Sequence, residues 1–537
     1  MIDYQVVIVG GGATGVGILR DLSMRGISAL LLEQGDLAHG TSSRFHGLLH
    51  SGARYAVKDS VSAAECIAEN LILKQIAAHC IADTGGWFVQ SEEDDSLYVE
   101  QWLKGCGKAN IPIRELSLAE AYVKEPLLKS VSRVFEVPDA TVDGFKLVWA
   151  NAKSAKHYGG EYKTYHQVQS LIMESGKVVG VKAKDLTNGE EVAFHSEVVV
   201  NASGAWAAKI AASIGVTLEV ICDKGTLLAF NHRLFQRVIN RLHLPSDGDI
   251  FVPHETITIL GTTSEIVDSP QDNQPKDDEV KRLLSMGGML LPNIINYRVI
   301  RAFAGVRPLH RDDSKLPGSA EAGREVSRNF ALIDHEAQDG VQGLISIVGG
   351  KFTTYRLMAE KVSDWVADKL GNKVPCRTAQ ESLLPEIPKD LRQQALRILP
   401  SAAAEKMLER LGDDAKEVIE KIKRDPSKAQ MLCECEMVSA AEIEKVAADP
   451  DSHHLADIRR KTRLGMGTCQ GAFCTYRVLP LLRLEKQKFD PIQGELRSFI
   501  NQRWKGIRPV LWGQQLRETE LTRAIYAGTL QLNENQR

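Results

Sequence analysis

Two sets of residues in this sequence are spaced for chemistry. The first is Gly10-Gly11-Gly12-Ala13-Thr14-Gly15, a G-x-G-x-x-G corner, with Glu33 eighteen residues beyond Gly15. Gly10 allows a tight turn, Gly12 lets the backbone approach a pyrophosphate, and Gly15 lets the following helix pack close on the strand. The helix N-terminus then faces the phosphates, and Glu33 accepts hydrogen bonds from a ribose. The second set is Cys433-Glu434-Cys435 and Cys469-Gln470-Gly471-Ala472-Phe473-Cys474, a C-x-C and a C-x4-C separated by 33 residues. Four thiols in two close pairs suit a four-sulfur metal site, an iron–sulfur cluster or zinc. The C-x-C pair is tighter than the usual zinc spacing. Gly465, Gly467 and Gly471 permit a sharp loop whose amides reach cluster sulfurs. The remaining five of the nine cysteines are scattered singly, as reduced thiols are. His453-His454 falls outside the cysteine spacing and reads as surface.

The elements that must position these residues are legible in part. Val6-Val7-Ile8-Val9 is a β-branched run with the pattern of a strand buried on both faces. A helix-period stretch from Val16 to Arg25 follows the glycines, and Ala29 to Leu32 reads as a second strand ending on Glu33. Thr41-Ser42-Ser43 suits a loop lying against a phosphate or a flat ring. Later strands end in two further corners, Asn201-Ala202-Ser203-Gly204 and Gly349-Gly350-Lys351, both placed to approach the same cofactor. Strand-like segments at Leu227 to Phe230, Ile250 to Val252 and Thr256 to Gly261 predict an antiparallel second layer. Arg54 with Tyr55, Arg307, Arg328 and Lys351 stand at loop corners. Brought together, they would bind a small phosphate or carboxylate through arginine forks.

These patterns predict an α/β fold. A Rossmann-like dinucleotide-binding domain is interleaved with an antiparallel-sheet substrate domain, and a small helical cysteine domain follows. The flavin-type oxidoreductase unit covers 1–375, with binding parts near 1–80, 150–210 and 340–375 and substrate parts near 85–150 and 215–335. A helical linker at 376–427, the cysteine domain at 428–488 and a basic-aromatic tail at 489–537 complete the chain. The run Arg459-Arg460-Lys461 reads as a solvated face. A formal charge of -3 over 537 residues argues against a nucleic-acid partner. The chain opens directly into a strand, leaving no room for a signal peptide. It has no apolar run long enough to span a bilayer, so a cytoplasmic or surface-bound location is expected.

A single G-x-G-x-x-G beside four paired cysteines decides between dinucleotides. A nicotinamide cannot easily hand single electrons to an iron–sulfur site, whereas a flavin accepts a hydride and releases electrons one at a time. FAD is therefore the expected cofactor.

The motifs, taken as a set, resemble the FAD-dependent glycerol-3-phosphate dehydrogenases. They are Val7-to-Gly15, Thr41-Ser42-Ser43, Leu49-His50-Ser51-Gly52-Ala53-Arg54-Tyr55, Val200-to-Trp206, Gly261-to-Ser264, Ala304-to-Leu309 and Gly349-to-Arg356. The cysteine module resembles the 2Fe–2S unit of bacterioferritin-associated ferredoxin, which points to the anaerobic, multi-subunit branch of the family. The resemblance implies oxidation of sn-glycerol 3-phosphate to dihydroxyacetone phosphate, with electrons passing to quinone. It also implies a second flavoprotein subunit, with an iron–sulfur membrane-anchoring subunit, both on the cytoplasmic face of the inner membrane. Gly10, Gly11, Gly12, Ala13, Thr14, Gly15, Glu33, Thr41, Ser42, Ser43, Ala202, Gly204, Gly350 and Lys351 are expected at FAD, and Cys433, Cys435, Cys469 and Cys474 at the cluster. The resemblance further implies Arg54, Arg307 and Lys351 as anion binders and Tyr55 and Thr354 as donors. Arg328 is expected beside the substrate. Lys351 or Arg307 is expected to stabilise the developing alkoxide, and His50 is the candidate base. One departure stands out: relatives carry a histidine after lysine-glycine-serine, where this chain has Lys224-Gly225-Thr226-Leu227.

Overall fold

In the computed structural model, residues 3–310, 328–482 and 492–532 are described. The run Val6–Val9 is buried on both faces, because its strand, Tyr4–Val9, lies inside an eight-stranded sheet. It pairs in parallel with Ala29–Leu32 on one side and with Glu191–Asn201 on the other. Leu344–Gly349 then pairs in parallel with Glu191–Asn201.

The register matters for the site. Val9 is level with Asn201, and Asn201 is level with Ser346. Three strands far apart in sequence therefore deliver their glycine corners to one carboxyl edge, where open α/β sheets bind ligands. Helices Ala13–Met24, Gly144–His157 and Tyr355–Lys369 pack below this edge around one apolar core.

The first corner is sterically committed. Gly10 has φ +111°, and a Cβ there would meet the Ala202 carbonyl at 2.6 Å; a Cβ on Gly15 would sit 1.9 Å from the Gly10 carbonyl oxygen. Backbone on both sides leaves nothing to yield. Gly15→Ala is expected to yield folded but flavin-poor protein, with bound FAD falling ~10-fold or more, because even overpacking in softer cores costs ~1–3 kcal/mol. Absorbance at the flavin band per protein checks it, and normal flavin content would refute it.

The second layer is a nine-stranded sheet, mostly antiparallel. In it Ile221–Phe230 runs against Val299–Leu309, with Asp223 directly opposite Arg307. The strand Phe330–Asp334 belongs to the first sheet instead, pairing with Leu344–Gly349.

Beyond residue 376, helices Lys389–Ile398, Ser401–Leu411 and Ala415–Arg424 pack around Leu391, Ala395, Met407, Leu408 and Val418. The cysteine module has its own core, built with Ile443, Ile458 and Val478. Leu496, Phe499 and Leu532 of the C-terminal segment complete that core, while Val510 joins the core of the second sheet.

The run Arg459-Arg460-Lys461 is not a solvated face, and this corrects the sequence expectation. Arg460 donates to Asp36 at 2.6 Å and to Asp457 at 2.6 Å. The Arg459 guanidinium lies over the Phe499 ring at 4.9 Å, and the Lys461 ammonium over the Trp149 ring at 4.3 Å. Arg463 adds a bridge, to Asp143 at 2.7 Å and to Glu436 at 2.9 Å. Arg460, Lys461 and Arg463 seat the cysteine module on the first domain, while Arg459 packs within the module.

Candidate active site and cysteine centre

A cavity of about 1150 Å³ runs along the shared carboxyl edge. This exceeds the usual ~300–1,000 Å³ of small-molecule sites, and so has room for a dinucleotide and a substrate together.

At one end its wall is the first corner. Gly10, Gly12, Ala13, Thr14, Glu33, Thr41, Ser42, Ala202, Gly204 and Gly350 all line it. Helix Ala13–Met24 starts at Gly12 with no side-chain cap on that residue and no acid in its first turn. Its electropositive end is thus left for an anionic ligand. Ser42 Oγ takes the Ala13 amide at 2.9 Å, which fastens the serine loop to the helix start. Glu33 accepts from the Gly11 amide at 2.7 Å and from the Gly35 amide at 2.9 Å. Burial pushes its carboxyl up, and those two amides pull it back. Gly11, Gly15 and Ser43 lie behind this wall: Gly11 holds Glu33, Gly15 sets the helix–strand approach, and Ser43 donates to the Gly40 carbonyl at 3.2 Å. The residues present fit a dinucleotide whose diphosphate sits at the helix start.

The other end is cationic. Alternation along Ile221–Phe230 turns Gly225 and Leu227 to the cavity. It sends Lys224 and Thr226 the other way, onto Glu279 at 3.0 and 2.8 Å. Asp223, fully buried, pairs with Arg307 across the strands and receives Arg328 at 3.4 Å. Arg307 spends its other amino group on Thr262 Oγ1 at 2.6 Å and the Thr263 carbonyl at 2.8 Å. It lies across Gly225, where a Cβ would meet the guanidinium at 2.2 Å. Lys351 donates to Ser62 Oγ and to the Arg328 carbonyl, each at 2.9 Å, and stands 5.1 Å above the Tyr55 ring. Burial lowers the Lys351 ammonium below its ordinary value and raises the Tyr55 phenol to about 12. Arg54 is held by Asp249 at 2.8 Å. Burial opposes charge on Asp249, but Arg54 and His243 outweigh it and bring the carboxyl down to about 2.

That shift has a sign. With a folded value near 2 and an ordinary value of 3.8, Asp249 stabilises the fold fully above pH 4 and loses that contribution as pH falls toward 2. About 2 kcal/mol is at stake. Asp249→Asn is expected to flatten the stability profile between pH 4 and pH 2 by about one proton, measured by denaturant unfolding. An unchanged slope would refute the pairing.

His50 is buried, its amide donating to Thr353 Oγ1 at 3.0 Å and its ring 5.4 Å from that of Tyr55. Burial, then His46, Arg54 and Lys351, hold it well below the ordinary histidine value, so the imidazole is neutral. Thr354 is the exception among the expected substrate residues. It is fully buried, does not line the cavity, and its hydroxyl closes a turn on the Lys351 carbonyl at 3.2 Å. Asp223, Asp249 and His46 were missed. Only His46 had a local signal, standing between Thr41-Ser42-Ser43 and the stretch that opens at Leu49.

The four thiols meet although Cys433 ends a strand and Cys474 begins a helix. Cys474 hydrogen-bonds with Cys433 and Cys469, and Cys435 with Cys469. Those contacts lower Cys433 to about 7 and Cys469 to about 5. Backbone amides of Gly465 and Glu436 reach Cys433, and those of Gly471 and Phe473 reach Cys469. The same thiol contacts raise Cys474, and burial raises Cys435; four neighbouring thiols with amides directed at them are the donor set of an iron–sulfur cluster. His454, by contrast, pairs with Glu495 at 2.8 Å.

The family model for FAD dependent oxidoreductases matches residues 5–356, and that for BFD-like 2Fe-2S binding domains matches residues 431–483. The chain is therefore an FAD-dependent oxidoreductase with a 2Fe–2S domain. A subunit of the anaerobic glycerol-3-phosphate dehydrogenase of Escherichia coli (strain K12) is 41% identical over 99% of this chain and 98% of its own length. Its counterpart in Haloferax volcanii is 42% identical over 99% and 91%. Among solved structures, glycerol-3-phosphate dehydrogenase from Bacillus halodurans complexed with FAD superposes with a TM-score of 0.71 at 21% identity, covering 95% of this chain and 96% of that one. The chain belongs to this family of anaerobic glycerol-3-phosphate dehydrogenase subunits. No helix among the described residues is long and apolar enough to cross a membrane.

Proposed function

We propose that this cavity oxidises sn-glycerol 3-phosphate to dihydroxyacetone phosphate. The observation that carries the reading is the cationic end of the cavity, where Arg54, Arg307, Arg328 and Lys351 converge beside the dinucleotide wall. Two of these arginines are aimed by one buried carboxylate, Asp223. A guanidinium fixed in this way presents a pre-set fork to a phosphate. Bound FAD supplies the two-electron oxidant and passes electrons on singly. The glycine corner, Glu33, Thr41, Ser42, Ala202, Gly204 and Gly350 hold it; Arg54, Arg307 and Arg328 hold the phosphate. Lys351, with two of its three ammonium donors spent on Ser62 and the Arg328 carbonyl, keeps one for a substrate oxygen. His50, neutral and buried, takes the hydroxyl proton.

Cys433, Cys435, Cys469 and Cys474 would hold the 2Fe–2S cluster, which would supply one-electron chemistry. The relatives are named as subunits, which supports a multi-subunit assembly. In it, a second flavoprotein subunit, with an iron–sulfur anchoring subunit, passes electrons to quinone at the cytoplasmic face of the membrane. Anaerobic addition of glycerol 3-phosphate to the FAD-loaded chain is expected to bleach the flavin. A flavin that stays oxidised with glycerol 3-phosphate, yet is reduced by lactate, 2-hydroxyglutarate or proline, would overturn the substrate assignment.

A further inference from the structure

Near the cationic end of the cavity stands a histidine that the roles above leave unused. His46 lines the cavity, and its Nδ1 lies 3.1 Å from the backbone nitrogen of Leu48. A backbone N–H only donates, so Nδ1 is the acceptor and the proton of the neutral ring sits on Nε2. The His46 carbonyl accepts from His254 Nε2 at 2.8 Å, which pins the same residue from its other side. Burial, with Arg307 and Arg54 nearby, brings the imidazole down to about 3, so the ring is neutral at working pH. Among the described residues no protein hydrogen bond engages Nε2, and the residue itself lines the cavity.

His46 and His50 meet edge to face, their ring centroids 5.7 Å apart, yet they are not interchangeable. The one lone pair available on the His46 ring is taken by the Leu48 amide, so it cannot accept a proton without breaking that bond. No protein group among the described residues engages the ring nitrogens of His50 through a hydrogen bond, so it can.

We propose that His46 contacts the substrate, its Nε2–H donating to the oxygen of the hydroxyl that is oxidised while His50 takes the proton of that hydroxyl. This rests on the glycerol 3-phosphate reading above. In the step, C2 gives up a hydride with its two electrons to the flavin, the hydroxyl gives its proton to His50, and C2–O becomes C=O. As the O–H bond breaks, negative charge gathers on oxygen. A donor fixed in advance stabilises that charge more than it stabilises the neutral hydroxyl. His46 therefore acts on the rate of flavin reduction and little on substrate affinity.

The test is anaerobic stopped-flow reduction of the FAD-loaded full-length chain by glycerol 3-phosphate, in wild type, His46→Phe and His46→Gln. Phenylalanine keeps a flat ring without the donor; glutamine returns an N–H at similar reach. The limiting rate is expected to fall ~10²-fold in His46→Phe, with flavin content and the half-saturating concentration little changed, and to recover by ~10-fold in His46→Gln. An unchanged limiting rate in His46→Phe, or a change confined to half-saturation, overturns the proposal. If His46→Phe fails to hold flavin, His46→Ala and His46→Gln are compared instead, and equal rates in those two overturn it. Wild-type flavin that glycerol 3-phosphate never reduces defeats the functional reading and this inference together. Reduction of wild type with His46→Phe equally fast defeats only the role of His46.

Discussion

A chain carrying Cys433→Ser and Cys469→Ser is expected still to have its flavin bleached by glycerol 3-phosphate, but to lose its iron, its cluster absorption and its electron delivery to one-electron acceptors. The two halves separate because they share no side chain: the cavity is built by residues before 360, the thiols by residues after 430. Cys433 and Cys469 are the two thiols that their neighbours acidify, so they are the ones best prepared as thiolate ligands. Serine keeps the volume and loses that acidity. Changes merely to the groups around metal ligands cost about 10–100-fold, so removal of two ligands is expected to cut one-electron transfer by more than ~10²-fold. Iron analysis, the visible spectrum and anaerobic flavin bleaching are measured on the same sample. A cluster spectrum that survives the double substitution would sink the assignment.

Arg307→Met is expected to lower kcat/KM for glycerol 3-phosphate by about 10³-fold while leaving FAD bound. Two costs combine. The phosphate loses a fork, and Asp223, with no exposed side-chain surface, loses its principal partner. Truncating one partner of a buried, hydrogen-bonded charge contact in recognition typically costs ~2–5 kcal/mol, and each 1.4 kcal/mol is about tenfold. Arg307→Lys does not rescue, because one ammonium cannot serve Asp223, Thr262 and the Thr263 carbonyl from the two directions the guanidinium covers. Steady-state kinetics with flavin-normalised enzyme decide it; a loss under tenfold in Arg307→Met would show that the cation is peripheral.

The parts of this protein that were legible in the sequence are those whose geometry is local. Gly10 to Glu33 is a continuous strand–turn–helix–strand unit, so its spacing alone fixes which amides and which carboxylate meet. The cysteine pairs are equally short-range. The Asp223–Arg307 pair is not: it depends on the register of two antiparallel strands 84 residues apart, and nothing near Asp223 marks it as an anchor. The basic run at Arg459 was misread for the same reason. Three consecutive cations suit a wet surface unless an acid arrives from elsewhere, and Asp36 arrives from 424 residues away. Thr354 was misassigned because a hydroxyl beside a substrate corner serves equally well to close the turn that forms the corner.

The segment that closes the cysteine module also sets when the module can mature. Leu496, Phe499 and Leu532 belong to its core, yet they leave the ribosome after all four cysteines. During synthesis the first sheet can assemble early, as amino-terminal domains do, while the thiols and the second sheet wait on the C-terminal segment. The same segment completes both cores, Val510 in the second sheet and Leu532 in the cysteine module, so neither the oxidising half nor the half that exports its electrons is finished before it.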